Sequence, residues 1–503
     1  MRITNNMITG NTKSNINGNK IFVDKYNTQM TTQKKISKAS EDPVIAIRAL
    51  RLGTSLSHIN QYVDNNIPDA EAWLDVTYTA LNNMYTLISD IRTQCVNGST
   101  DTLSTDDRQT ILKSLQSLSE QVYTEGNADY SGRTIFTGYR TSSNLTFDTD
   151  EADTTYQIEQ SFSYQDLETK RYYTGDVEVP VTLGGACTTI VQESSYDRIR
   201  LGYDSVSKVD AFSYSYYDEN GKEQVIKQDV ITFETEADWE ADQITTPAGV
   251  KQVKPDQVVF IKETGEFIFG ENVAQIMKSN HANIDVTYTK TGFDAGELRP
   301  EYYYNCTDKS DPYNEDNWVT YTKEDQQISY TIAASTTLTV NTQASDVFDT
   351  SIQRDTKEMI NIVQKSLNAE KKVEQIKKMM SEEKYSSEED QKKLQTYLDA
   401  AQKELDYAND NLQKTYEQYI TNFDNYMTQI NTAITNVGSM QNRLSMTKNR
   451  VENQQMTIKE LKSSNEDREI SDILIDYTAA YNAYQASLTA AAKIGDQTLL
   501  NYL

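Results

Sequence analysis

The chain has 503 residues, with 75 acidic side chains against 48 basic ones and a net charge of −27. This length suggests about three domains, and the acidic balance disfavours binding to nucleic acid or anionic lipid, both of which need clustered Lys and Arg. Cys95, Cys187 and Cys306 are odd in number and far apart, so we expect neither a disulfide framework nor a metal cluster.

The first twenty residues lack the apolar stretch of a cleaved signal peptide. No apolar run reaches the roughly 18 residues that a membrane-spanning helix needs. We therefore expect that the protein stays inside the cell or leaves it by a route that reads no such signal.

An apolar stripe at steps of three and four residues predicts long helices in the N-terminal part of the chain. Asp42-Pro43 is a favourable helix start, because the Asp side chain can cap the first amides and proline suits the first turn. Pro68 interrupts the stripe, so we predict a kink or a restart near Asn66-Ile67. The stripe comprises Ile45, Ala49, Leu52, Leu56, Ile59, Val63, Asn66, Ala70, Trp73, Thr77, Ala80, Met84, Leu87 and Ile91.

A further helix is predicted to open at Ser104, where S-T-D-D has the spacing of a capping box. Ile111, Leu115, Leu118 and Val122 share one face of this helix. Gly132 and Gly138 then indicate the change to extended structure.

Residues 145–345 have the character of a β domain. Five of the seven prolines fall there, among many Thr, Tyr and Val residues. Alternation predicts strands through Val177–Leu183 and Phe212–Tyr216. Asn220-Gly221 and Thr264-Gly265 each predict a hairpin, and a further strand pair is predicted at 328–332 and 338–340.

From residue 346 to the end there is no proline, which favours very long helices. Residues 370–410 are dense in Lys and Glu and predict a solvated helical hairpin with its turn near Lys384–Glu388. Residues 465–467 predict a hinge before the last helix. The long stripe here comprises Tyr419, Phe423, Tyr426, Ile430, Ala433, Val437, Met440, Leu444, Thr447, Val451, Gln454, Ile458 and Leu461.

The pattern as a whole predicts an α+β fold: a long antiparallel helical coiled-coil rod built from both termini, with an inserted antiparallel β domain. We predict that residues 1–43 and 465–503 form terminal helices of an inner polymerisation domain. Residues 44–144 and 346–464 would form the helical rod, with a Lys/Glu-rich hairpin at about 366–415. Residues 145–345 would form the outer β domain.

Six segments in a fixed order also carry a family resemblance. They are MRITN (1–5), KISKASEDP (35–43), NADYSGRTIFTG (127–138), GSMQNRL (438–444), AYQASL (483–488) and TLLNYL (498–503). These segments resemble those of the bacterial flagellin superfamily and, within it, most closely those of the flagellar hook-associated protein of the hook–filament junction. Glu41 stands where the family pattern has Asp.

The resemblance implies a structural role in the flagellum. Members are secreted through the flagellar export channel and assemble outside the cell through paired terminal helices around a central pore. The implied partners are further copies of the chain in a homo-oligomeric ring, a neighbouring hook-associated protein, flagellin and an export chaperone. It implies neither a cofactor nor membrane insertion, and Lys/Glu-rich residues 366–415 look like an insertion.

The terminal segments and the matched motifs supply the candidate assembly residues. The last helix carries an amphipathic stripe that no neighbour in the sequence covers. A pair of short helices is only marginally stable by itself. We therefore expect both ends to be largely disordered in the free subunit and to fold on assembly. The candidates are Ile3, Phe22, Tyr26, Ile36, Asp42, Pro43, Arg133, Phe136, Asn442, Arg443, Leu474, Tyr477, Tyr481, Tyr484, Leu488, Leu499, Leu500 and Leu503.

Two other functions remain open at this level. The chain could be flagellin, the bulk filament subunit, which shares both ends. It could instead be a surface adhesin whose β domain binds glycans, with aromatic residues such as Tyr302–Tyr304 and Trp318 stacking on sugars. An enzyme is not expected, because the two histidines, His58 and His281, lack a metalloprotease context and no phosphate-binding glycine loop occurs.

Overall fold

The computed structural model describes residues 5–100, 103–218, 221–245 and 251–496. Its long helices lie towards both ends of the chain and its strands lie between them, as the α+β prediction requires. The α-helices are α1 (Asn5–Thr32), α2 (Pro43–Gln61), α3 (Ile67–Gly98), α4 (Thr105–Gln121), α5 (Glu236–Asp242), α6 (Glu271–Ser279), α7 (Ser351–Ser381), α8 (Glu388–Glu466) and α9 (Ile470–Asp496).

The strands form two large sheets and three small hairpins. They are β1 (Asp129–Tyr130), β2 (Arg133–Thr134), β3 (Glu151–Ser163), β4 (Glu168–Thr174), β5 (Gln192–Arg200), β6 (Lys208–Tyr217), β7 (Glu223–Lys227), β8 (Val230–Phe233), β9 (Ile244–Thr245), β10 (Lys251–Gln252), β11 (Val258–Ile261), β12 (Glu266–Phe269), β13 (Asn283–Phe293), β14 (Asn305–Asp308), β15 (Val319–Tyr321), β16 (Ser329–Ala333) and β17 (Thr336–Thr339). One sheet has the order β4-β5-β12-β11-β8 and the other β15-β14-β3-β13-β6-β7. Their neighbours are antiparallel except for the parallel pair β8 and β11.

The chain divides into two compact units. Unit 1 holds residues 1–71, 330–338 and 442–503, and unit 2 holds residues 72–329 and 339–441. The predicted domain boundaries stay a prediction. In the described residues, no helix combines the length and the apolar character needed to cross a membrane.

In unit 1, α2 runs antiparallel to the end of α8. Asn465 Nδ2 donates to the carbonyl of Ile45 at 3.0 Å, and Gln455 donates to Asn60 at 2.8 Å. Partner numbers thus fall on α8 as they rise on α2, which is the antiparallel pairing expected from the two stripes. A π-helical turn, Tyr62–Asn66, follows α2 where the prediction placed a kink, and α3 begins directly after it.

In unit 2, α3 and α8 are also antiparallel. Gln441 donates to Asp75 at 2.7 Å, and Arg92 pairs with Asp424 at 2.5 Å. The predicted capping box at Ser104 opens α4, which lies against α7 through a 2.7 Å hydrogen bond from Thr105 to Glu370. The predicted helical hairpin is present, because α7 ends at Ser381 and α8 begins at Glu388.

The two large sheets of unit 2 enclose a core of aromatic and branched side chains. Phe212 of one sheet stacks on Phe267 of the other at 5.1 Å between ring centroids. Strands β11 and β12 form the hairpin predicted from Thr264-Gly265, with Gly265 at φ +60. Both strands are buried throughout, because α5 and its Trp239 cover the outer face of their sheet. The other predicted hairpins, β6–β7 and β16–β17, are also present.

One predicted strand is wrong. Residues 177–183 alternate like a strand but adopt no regular structure. Val177 is fully buried against Val373, Ile376 and Ala401 of the α7–α8 hairpin, and its amide donates to Glu404 at 3.0 Å. Val181 at the other end is 95% exposed. The segment therefore lies over a helical surface instead of pairing with a strand, which a local pattern cannot reveal.

Candidate assembly surface

The terminal helices α1 and α9 of unit 1 pack against each other. The segment that follows α1 pairs with the segment that precedes α9 and forms a short antiparallel bridge. The amide of Lys35 donates to the carbonyl of Glu466 at 2.7 Å, and the amide of Arg468 donates to Gln33 at 3.0 Å. Lys34 adds ion pairs to Glu466, at 3.3 Å, and to Asp467. This bridge fixes the predicted hinge at 465–467.

Arg468 extends the bridge into the helix pair. It donates to Gln29 of α1 at 3.0 Å, forms an ion pair with Asp476 of α9, and lies 5.7 Å from the ring centre of Tyr26. Gln29 is only 5% exposed and itself donates to the carbonyl of Lys35 at 2.6 Å. One guanidinium thus joins both helices at the hinge end of the pair.

The helix pair leaves large apolar side chains uncovered. Ile473 of α9 is fully buried, but its neighbours Leu474 and Ile475 are 52% and 67% exposed. Tyr477 stacks on Tyr481 with ring centroids 6.1 Å apart. The large apolar side chains of α1 and α9 that are exposed are Met7, Ile21, Phe22, Ile470, Leu474, Ile475, Tyr481 and Leu488. A cluster of this kind is typical of a surface that another protein covers.

Eight of the fourteen candidate residues that the structure describes lie on or beside this pair. Phe22, Leu474, Tyr481 and Leu488 are exposed, and Tyr26, Ile36, Tyr477 and Tyr484 are partly buried. Ile3, Leu499, Leu500 and Leu503 lie outside the described residues.

Asp42 and Pro43 have a local role at the start of α2. The Asp42 carboxylate accepts from the amides of Val44 and Ile45 at 2.9 and 3.1 Å, and Pro43 occupies the first turn, as the sequence predicts. Just before them, Glu41 accepts one hydrogen bond from the hydroxyl of Ser37 at 2.7 Å and another from the Ser37 amide. The two bonds lower the pKa of Glu41. The motif around Asp42 therefore shapes the turn that leads into α2.

The remaining candidates are not brought together with α1 and α9. Asn442 and Arg443 are exposed on α8 of unit 1. Arg133 belongs to unit 2 and lies 5.3 Å from the ring of Trp73 and 5.6 Å from that of Tyr130. Phe136, also in unit 2, is 2% exposed and packs edge-on against Phe348. The structure thus places Phe136 in the core, where it has almost no surface to offer to a second subunit.

The aromatic residues of the adhesin alternative are largely packed inside unit 2. Tyr303 is 5% exposed. The Trp318 indole donates to the carbonyl of Asp311 at 2.9 Å, and Lys309 covers its ring at 4.4 Å. Tyr302 and Tyr304 are partly buried. In this arrangement the four rings do not form an open stacking platform.

Sequence reasoning missed a buried ion cluster in unit 2. Arg198 lies at its centre, with a side chain only 3% exposed, and contacts Glu266 at 2.8 Å and Glu358 at 2.8 Å. Arg200 pairs with Asp355 at 2.5 Å. The members of this buried ion cluster are Lys170, Arg198, Arg200, Glu168, Glu266, Asp355 and Glu358.

The buried ion cluster joins a sheet to the helices. Lys170, Arg198 and Glu266 come from β4, β5 and β12, whereas Asp355 and Glu358 come from α7. Burial alone would raise the pKa of Glu358, but the charges of Arg198, Lys170 and Arg200 hold that pKa well below its usual range. Burial raises the pKa of Asp355, and the charge of Arg200 offsets only part of that rise. Arg198 and Arg200 are two residues apart on β5 and therefore lie on the same face of the strand. This spacing was the signal in the sequence that could have indicated the buried ion cluster.

In the described part of the chain, no group of His, Cys, Asp and Glu side chains is arranged to hold a metal ion.

Comparison with known proteins gives matches at both ends of the chain. Residues 3–141 match the family model of the bacterial flagellin N-terminal helical region, and residues 420–503 match that of the bacterial flagellin C-terminal helical region.

Two curated relatives match over part of the chain. Flagellar hook-associated protein 3 of Escherichia coli is 32% identical over 118 residues, which cover 23% of this chain and 37% of the relative. The protein of the same name from Salmonella typhimurium is 30% identical over 142 residues, covering 28% of this chain and 44% of the relative. The matches thus span less than half the length of either relative.

Among solved structures, flagellar hook-associated protein 3 from Legionella pneumophila is similar at 10% identity and a TM-score of 0.30, covering 82% of this chain and 97% of that one. A TM-score this low adds nothing to the assignment. The likeness to flagellins rests on the two terminal matches, in which the N-terminal region matches the start of the chain and the C-terminal region matches its end. The two ends of the chain are thus similar to the N-terminal and C-terminal helical regions of bacterial flagellin.

Proposed function

We propose that this protein is a structural subunit of the bacterial flagellum, an adaptor that joins a hook-associated protein to the filament at the hook–filament junction. The observation that carries the proposal is the identity of 32% and 30% to two proteins named flagellar hook-associated protein 3, together with flagellin-type regions at both ends. No catalytic activity is part of this function.

The assembly mechanism follows from the terminal helices of unit 1. Phe22, Leu474 and Ile475 are exposed on the free subunit. Covering them with a neighbouring subunit lowers the free energy by roughly 25 cal/mol per Å² of apolar surface removed from water. A weakly covered helix pair is also easily opened. Assembly would then order both ends and bury the apolar stripe in one step, which keeps free subunits from polymerising early.

The partners of this function are further copies of the chain in a ring, a neighbouring hook-associated protein and flagellin. An export chaperone would cover the ends before secretion through the flagellar channel, which would place the protein outside the cell. Neither nucleic acid nor insertion into a membrane has a place in this function, and the net charge of −27 fits that view.

The alternative is flagellin, the bulk subunit of the filament. The observation that favours it is that both terminal matches are to helical regions of flagellin itself.

Deleting the gene separates the two functions. We expect bare hooks on the cells and flagellin shed into the medium, because filaments would lack the junction on which they start. Loss of filaments with no flagellin in the cells or the medium would show that the chain is the filament subunit. Normal filaments would contradict both functions.

A point variant tests the role of the helix pair in the same strain. Leu474→Asp places a charge on the exposed stripe of α9, and we expect the deletion strain that carries it to shed flagellin. Asn482→Asp adds the same charge to the same helix at an exposed polar position and serves as the control. Equal filament assembly with both variants would argue against the stripe as an assembly surface.

Hydrogen exchange on the free subunit tests the coupling of order to assembly. We expect fast amide exchange in residues 5–32 and 470–496 compared with the core of α3, since few buried contacts hold α1 and α9. Strong protection of both helices in the monomer would contradict folding on assembly.

A further inference from the structure

Strand β7 is an outer strand of the six-stranded sheet of unit 2. It pairs with β6 on one side, with Glu223 opposite Tyr217 and Lys227 opposite Ser213. The other side of an outer strand carries a row of peptide groups that can pair with a further strand. Which strand can pair there is decided by the side chains that β7 presents.

The hydrogen-bond pattern of the β6–β7 hairpin shows which peptide groups of β7 point outward. The amide of Asp218 donates to the carbonyl of Lys222 at 3.0 Å. Hydrogen-bonded and non-hydrogen-bonded pairs alternate along an antiparallel ladder, so every second residue after Lys222 turns its peptide groups away from β6. Within the described chain, no other backbone group bonds to these outward peptide groups. They belong to Glu223, Val225 and Lys227.

The same three residues present their side chains to solvent on one face of the sheet. Val225 is 58% exposed, and Glu223 and Lys227 on either side of it are exposed as well. Neither of these two charges forms an ion pair with a residue that the structure describes. The exposed face of β7 is therefore an apolar side chain between two unpaired charges of opposite sign.

The sequence of β7, EQVIK, is complementary to itself when two copies run antiparallel. With Val225 of one copy opposite Val225 of the other, Glu223 of each copy lies opposite Lys227 of its neighbour. Opposite charges placed directly across an antiparallel pair stabilise it. The outward peptide groups fall into the same register and would form about six hydrogen bonds between the two strands.

The other outer strands of the two large sheets that the structure describes lack this complementarity. Strand β8 is flanked by Asp229 and Glu234, so antiparallel pairing of two copies about its centre places acid against acid. Strand β4 has Arg171 at its centre, which would face itself. Strand β15 has only three residues. In a chain with a net charge of −27, β7 is the outer strand whose charges favour a second copy.

We propose that β7 is a docking surface for a second copy of this chain, through antiparallel pairing of the two β7 strands about a two-fold axis at Val225. Two strands of five residues bury well under the roughly 1,200 Å² at which stable interfaces begin, so the contact is weak and forms between copies at high local concentration. It differs from the surface of α1 and α9, because it lies in unit 2 and joins two identical strands. The inference does not depend on the proposed function.

Disulfide trapping on the full chain tests the pairing and its register. Cys95 and Cys306 are buried, so a Cys187→Ser background removes the more accessible native thiol. Val225→Cys then places one exposed thiol on each copy, with about 5.5 Å between the two Cα atoms, inside the roughly 4.4–6.8 Å that a disulfide needs. Oxidised glutathione should convert most of the protein to a covalent dimer on a non-reducing gel. Val319→Cys, at a valine that is 46% exposed on the outer strand β15 of the same sheet, is the matched control and should stay monomeric.

Charge reversal in the Val225→Cys protein tests the complementarity. Glu223→Lys places Lys against Lys at both ends of the pair and should slow trapping at least threefold, although it makes the whole chain less negative. Lys227→Glu should slow trapping as well, and the double variant Glu223→Lys with Lys227→Glu should restore the original rate because the opposite charges return. All these positions are exposed, so the fold is not at stake.

The proposal is overturned if Val225→Cys forms a dimer no faster than Val319→Cys. It is also overturned if the double variant is trapped no faster than either single reversal, because the contact would then not depend on the pairing of Glu223 with Lys227.

Discussion

Removing Arg198 from the buried ion cluster should be among the most damaging single changes in unit 2. Its guanidinium contacts Glu266 at 2.8 Å, Glu358 at 2.8 Å and Glu168 at 3.3 Å, with 3% of its side chain exposed. In Arg198→Met, two cations would face four carboxylates. Breaking a buried pair by removing one partner costs about 3–5 kcal/mol, and we expect a loss in that range.

The assay is urea unfolding followed by tryptophan fluorescence, because Trp73, Trp239 and Trp318 all lie in unit 2. With a slope of about 3 kcal/mol per M, the midpoint should fall by about 1–2 M. Arg171→Met is the matched control, since Arg171 lies on the adjacent strand β4 and its pair with Glu193 is 3.7 Å long and half exposed. That pair should contribute less than about 1 kcal/mol.

The loss should also depend on pH. The pKa of Glu358 is held below its unfolded value, so this group stabilises the wild-type fold above about pH 4.3 and less as the pH falls. In Arg198→Met, Glu358 loses a neighbouring cation and its pKa rises. The destabilisation of the variant is therefore largest at neutral pH, and protonation relieves it at lower pH. A deficit below 1 kcal/mol at pH 7, or one that grows as the pH falls, would refute this reasoning.

Three further outcomes follow from local geometry. Gly98→Ala should destabilise unit 2 by about 1–3 kcal/mol in the fluorescence assay, because its Cβ would lie 2.4 Å from the ring of Tyr416; a gain in stability would contradict that packing. Asp42→Ala removes the cap of α2 and should cost about 0.5–2 kcal/mol, seen as faster amide exchange in its first turn and contradicted by unchanged exchange there. Burial raises the pKa of the Cys95 thiol to about 12, whereas Cys187 is only partly buried. Iodoacetamide at pH 8 should therefore label Cys187 long before Cys95. Mass spectrometry that finds Cys95 modified first would refute the burial of Cys95.

Features set by neighbours in sequence could be predicted from the sequence. The caps at Asp42 and Ser104, the break before Pro68 and the hairpin at Gly265 all depend on residues within one turn. The two apolar stripes could also be read, because their periodicity belongs to the helix itself.

Features set by distant residues could not be predicted. Val177 alternates with its neighbours like a strand residue, but its contacts are on α7 and α8, some two hundred residues away. Phe136 belongs to a recognisable motif, but only its contact with Phe348 shows that it serves the core. Arg198 and Glu358 were two charges among many in an acidic chain until the fold placed them 2.8 Å apart.

Labelling the protein on intact flagella tests the central claim most directly. Gly184 and Gly185 are exposed in the irregular segment after β4, and no other atom lies close to either of them, so this segment can carry an epitope tag. We expect immunogold electron microscopy to show one compact label per flagellum, where the hook meets the filament. Label along the whole filament would contradict the junction role and identify the chain as the filament subunit.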